Sequence, residues 1–68
     1  MAQCYVNNHA QRTGEHEVHR QDCRWLSAVI SKTALGEHTT CQSAVREAKR
    51  FHANSDGCAT CSPVCHTR

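Results

Sequence analysis

Apolar and polar residues alternate at the start of the chain. Across residues 3–7, Cys4 and Val6 fall on one side of an extended segment and Tyr5 on the other. Residues 8–14 are rich in turn formers, and Gly14 can take the positive φ that reverses a chain. Residues 15–19 can then return beside the first segment with Val18 next to Val6, so 3–19 predict a β-hairpin. Residues 24–36 hold Trp25, Leu26, Val29, Ile30 and Leu35 without a decisive period. They predict an irregular core-forming segment broken by Gly36, with Glu37 and His38 briefly extended. The helical period is clearest over 40–53. There Cys41, Ala44, Val45, Ala48 and Phe51 or His52 share a face, and Arg46, Glu47, Lys49 and Arg50 take the others. Thr39 is expected as its N-cap, with Gln42 closing a capping box. Asn54 to Gly57 end it and deliver the chain into a turn over 57–63. The pattern as a whole is that of a single small α+β domain spanning 1–68.

Composition adds a constraint. A chain of 68 residues buries only about 60% of its unfolded surface, and large apolar side chains are few here. A staple is therefore expected, and a structural zinc supplies about 10–16 kcal/mol of apparent binding energy at neutral pH. Six cysteines would make a disulfide framework in a secreted chain. The first residues show no basic n-region, apolar h-region or small-residue cleavage site, so a cytoplasmic, reducing setting is expected and metal ligation is favoured over disulfides. A net charge of +2 is too small to imply a nucleic-acid or membrane partner by itself. No run reaches membrane-spanning length, and a monomer is expected.

The chemistry concentrates in two short stretches. Cys58 and Cys61, three positions apart on a turn, can face one ion while turn N–H groups stabilise their thiolates. A tetrahedral Zn²⁺ needs two further ligands, and His19 with Cys23, four positions apart after the hairpin, supply them. The expected site is thus one zinc held by His19, Cys23, Cys58 and Cys61. Cys65 and His66 extend the turn and are alternates for the fourth position. Cys41 is expected in the core through the helix's apolar face, and Cys4 as a strand-core thiol that could pair with Cys65 under oxidation. Cys4, Cys41 and Cys65 are an odd set that cannot all form disulfides. His9, His16, His38 and His52 read as surface residues.

In their order, these pieces resemble the zinc-binding domain of the Ada DNA-repair protein and the small Ada-type modules appended to some nucleases. The matching parts are Val18-His19 through Cys23, the helix with Ser43-Ala44 and Ala48, and Cys58 through Pro63, about residues 16–63 in all. The resemblance implies a small α+β fold in which zinc joins the hairpin end to the turn after the helix, and it raises the expectation of DNA as a partner. His19 stands where that family's methyl-accepting cysteine stands, so alkyl transfer is not carried over. The chain is also longer between its ligand pairs, with the extra length expected in 25–40.

Catalysis is not expected. His16-Glu17-Val18 reverses the H-x-E order of zinc deaminases, and Gly57 rather than Pro precedes Cys58. The H-E-x-x-H motif is missing, and no βαβ pattern surrounds the C-x2-C pair as in thioredoxin-like redox sites. The leading reading is a non-catalytic zinc module binding nucleic acid or protein, with Arg20, Arg24, Arg46, Lys49 and Arg50 as the basic contacts. The others are a thiol-reactive redox or alkylation sensor or metal-transfer protein, and a disulfide-stapled miniprotein.

Overall fold

A computed structural model describes residues 2–67. The described chain forms a small α+β domain: β1 (Ala2–Asn7), β2 (His16–Arg20), β3 (Lys32–His38), α1 (Cys41–Ala48) and β4 (Ser55–Gly57). Short 3-10 turns cover Leu26–Ala28 and Pro63–Cys65. The strands make one mixed sheet in the order β3-β1-β2-β4, with β1 antiparallel to both β2 and β3 and β2 parallel to β4.

The hairpin forms as its alternation predicts. Val6 lies opposite Val18, and Gly14 reverses the chain at φ 99°. The period-2 pleat sends Cys4, Val6 and Val18 to one side, where Ala44 and Ala48 of α1 meet them together with Leu35. The small alanines let the helix lie close to the sheet, and Val45 packs at the margin. Thr40, not Thr39, is the N-cap: its hydroxyl accepts from the Ser43 N–H at 3.3 Å, which satisfies one free donor of the first turn.

Three elements depart from the sequence reading. The helix ends at Ala48 rather than 53. Phe51 has no core to cover and is 53% exposed, while the chain turns so that the His16 N–H can donate to the Asn54 carbonyl and Ser55–Gly57 can join the sheet. That fourth strand was not anticipated. The expected core segment 24–36 divides in two: an outer loop, in which Trp25 is 49% and Ile30 92% exposed, and the edge strand β3, which contributes only Leu35 to the core. Gly36 does not break the segment. It sits inside β3 at φ 83°, where Cys4 pairs with Gly36 and Tyr5 with Ala34, so Leu35 is the extra residue of a bulge. Among the described residues no helix is long and apolar enough to cross a membrane.

Candidate metal centre

The site lies where β2 and β4 end side by side. Their parallel pairing runs from His16 opposite Ser55 to Val18 opposite Gly57. The next residues, His19 and Cys58, therefore emerge together, and the Cys58 N–H closes the pair onto the Val18 carbonyl at 3.0 Å. After β2 a tight turn bonds the Cys23 N–H to the Arg20 carbonyl, and after β4 another bonds the Ser62 N–H to the Cys58 carbonyl at 2.8 Å. These turns return Cys23 and Cys61 to the strand ends. One ligand atom each from His19, Cys23, Cys58 and Cys61 lies within 4.8 Å of all the others. The sequence-expected ligands are thus brought together.

His19, Cys23 and Cys58 are buried, and Cys61 is half-buried. Backbone donors reach the sulfurs: the Thr60 N–H points at Cys58 Sγ at 3.4 Å and the Arg20 N–H at Cys61 Sγ at 3.3 Å. Burial pushes the Cys23 thiol up to about 12, against the pull of the Trp25 N–H, with Cys61 and Cys58 adding to the rise. At Cys61 burial also raises the pKa. The Arg20 N–H, the Ser62 hydroxyl and the two neighbouring thiols outweigh it and leave the group below its ordinary value. The Cys23 and Cys61 thiols are thus shifted in opposite directions, and a bound cation would stabilise its coordinating sulfurs as thiolates. Burial lowers the pKa of His19 and outweighs the raising effect of Glu17, and the lowered value favours the neutral imidazole that a metal ligand requires.

One atom in this cluster has no partner. His19 is 2% exposed, and its Nδ1 is a buried nitrogen without any hydrogen bond. Buried polar atoms are nearly always satisfied, and a cation held with the sulfurs would satisfy this one. The residues fit a cation with nitrogen and sulfur ligands.

Both alternates lie elsewhere. Cys65 is bonded to Cys41, and His66 Nδ1 reaches the Gly57 carbonyl at 3.0 Å and the Asp56 carboxylate at 3.6 Å. Cys41 is half-exposed in that disulfide rather than a core thiol, because α1 turns its Ala44–Ala48 stripe to the sheet and leaves Cys41 facing the C-terminal segment. Cys4 is a buried free thiol in β1, as expected. Three of the supposed surface histidines have partners. His16 and His52 stack with centroids 3.8 Å apart, and His38 bridges the Ser43 hydroxyl and the Leu35 carbonyl. Sequence reasoning also missed two supports of the site. Trp25 Nε1 donates to Thr60 Oγ1 at 2.8 Å, linking the two ligand turns, and Glu17 stands 3.6 Å from His19 Nε2. Only Glu17 left a signal, two residues before His19 and hence on the same face of a strand.

Compared with known protein families, curated proteins and solved structures, the chain matches none of them.

Proposed function

We propose that His19, Cys23, Cys58 and Cys61 hold one structural Zn²⁺ in a small non-catalytic module whose outer surface binds a partner. The observation that carries this reading is the clustering of the His19 imidazole with three cysteine sulfurs, its Nδ1 buried and unpartnered. The spacing agrees. Two thiolates about 2.3 Å from one tetrahedral zinc sit roughly 3.8 Å apart, and Cys23 Sγ lies 3.9 Å from Cys58 Sγ. Softness favours zinc over magnesium or calcium, which take oxygen ligands. Four protein ligands leave no position for a substrate, which supports a structural rather than catalytic ion.

The likeness of the ligand order to Ada-type modules makes DNA the partner to test first. Arg20 and Arg24 flank the centre, Arg46 lies on α1 and Lys49 and Arg50 follow its end, all exposed. With so few phosphate contacts, binding would be weak and would fall steeply with salt.

Native mass spectrometry of the full chain, with chelator competition and an NMR spectrum of the stripped form, tests the zinc reading. The expected result is one zinc per chain and loss of spectral dispersion on its removal. A chain that takes up no zinc, or stays folded and unchanged without it, overturns the structural-zinc reading. Fluorescence anisotropy with a DNA duplex at two salt concentrations tests the partner: no binding at low salt removes DNA and leaves the zinc site standing.

A further inference from the structure

We infer that the ion is bound through Nδ1 of His19 and that Glu17 is the positioning residue that fixes this choice, by accepting from Nε2–H on the opposite side of the ring. The inference rests on the zinc reading above and goes beyond it. It names the coordinating atom and the group behind it.

The argument begins with the pleat of β2. Glu17 and His19 are two apart on a strand, so their side chains leave the same face. Glu17 is held at mid-strand by its pairing with Asp56 of β4, and His19 sits where that pairing ends. The hydrogen-bonding capacity of the His19 ring reduces to one question, because a neutral imidazole carries one donor and one acceptor. Nε2 faces the Glu17 carboxylate at 3.6 Å; Nδ1 is buried and faces no hydrogen-bonding partner.

The two tautomers are far from equivalent in this setting. With the proton on Nδ1, a donor would be buried unpartnered, and the Nε2 lone pair would face a carboxylate. With the proton on Nε2, the carboxylate has a donor to accept from, and the buried Nδ1, which has no other partner, keeps its lone pair for an ion shared with the clustered sulfurs. Only the second arrangement leaves a lone pair for a cation. The contact is longer than a hydrogen bond. Glu17, however, is 21% exposed and has no other side-chain partner among the described residues, so no other side-chain bond has to break for it to approach the ring. A carboxylate behind a ligating imidazole orients the ring and makes it a better donor to the metal, and loss of such a group weakens binding about 10–100-fold.

The test uses the full chain loaded with zinc. Long-range ¹H–¹⁵N NMR identifies which ring nitrogen is coordinated and which carries a proton, and competition with a chelator gives affinity for wild type, Glu17→Ala and Glu17→Gln. Expected are coordination through Nδ1 with a proton retained on Nε2, zinc binding about 10-fold weaker in Glu17→Ala, and recovery of most of that loss in Glu17→Gln, whose amide oxygen still accepts. Zinc bound through Nε2 overturns this inference and leaves the zinc site intact, as does unchanged affinity in both variants. Glu17→Gln is isosteric, so it still reports if the alanine variant folds poorly. A wild-type chain that binds no zinc overturns both readings together.

Discussion

Gly57 lies directly beneath Cys65: a Cβ placed on Gly57 would come within 2.6 Å of Cys65 Cβ and 2.9 Å of the Cys65 carbonyl carbon. The residue that ends β4 is therefore also the floor on which the C-terminal turn rests. Cys65 cannot retreat, since it is tied to Cys41 of α1. Gly57→Ala should destabilise the domain by about 1–3 kcal/mol, the usual range for overpacking, and should weaken zinc binding as well, because Cys58 is the next residue. A denaturant melt with saturating zinc measures the first effect and chelator competition the second.

The disulfide is the second clamp on this segment, independent of the metal ligands. It closes a loop with a sequence separation of 24, for which chain-entropy reasoning gives about 3 kcal/mol. The double variant Cys41→Ser, Cys65→Ser should lose about that much stability and still bind one zinc. Unfolded in chelator without reductant, the wild-type chain should take up iodoacetamide at Cys4, Cys23, Cys58 and Cys61, the four free thiols. Labelling at Cys41 or Cys65 under those conditions would refute the disulfide.

The stacked histidines predict a pH dependence. His16 Nδ1 donates to the Asn7 carbonyl at 2.8 Å, and His52 Nε2 faces Asn8 Oδ1 at 3.1 Å. Burial, then the charge of His16, lowers the pKa of His52 from 6.5. Below pH 6.5 the unfolded chain takes up a proton that the folded chain refuses, so this stability is present above 6.5 and is lost as pH falls through the folded value. The stability gap between wild type and His52→Gln, measured in urea with saturating zinc, should narrow from pH 7 to pH 5.5.

A further loss is expected in acid. At Asp56, burial would raise the pKa. The Thr67 N–H and hydroxyl, the Gly57 N–H and the His66 charge outweigh it and hold the carboxyl below its ordinary 3.8. The native state again binds fewer protons than the unfolded one, so this contribution is complete above pH 3.8 and disappears below it. Asp56→Asn should remove that acid-side slope.

The position of the core is tested by contrast. Val18→Ala, at a side chain 1% exposed, should cost about 2 kcal/mol. Ile30→Ser, at 92% exposure, should stay within about 0.5 kcal/mol of wild type. Thermal melts of the two variants side by side decide the matter. Equal losses would mean the loop over 24–31 is packed after all.

What could be read from the residues alone was local. Alternation over 3–19 gave the hairpin with Val6 against Val18, because a pleat has a fixed period. The intervals His19 to Cys23 and Cys58 to Cys61 pointed to the four residues the fold brings together, because one ion admits few spacings. The helix's existence followed from its period. Its end did not, since whether the chain goes on past Ala48 depends on a pairing with β2 that no short window contains.

Tertiary structure decided everything that joins distant segments. Trp25 and Ile30 count as core by hydropathy but face outward, because α1 and Leu35 already fill the covered side of the sheet. Cys41 and Cys65 were two of three leftover thiols until α1 and the C-terminal turn were set side by side. Likewise, the two nitrogens of His19 become distinct only once the fold sets Glu17 3.6 Å from Nε2 and buries Nδ1 without a partner. Periodicity and spacing act over a few residues and are written in the chain; which faces meet is set by the packing of the whole molecule.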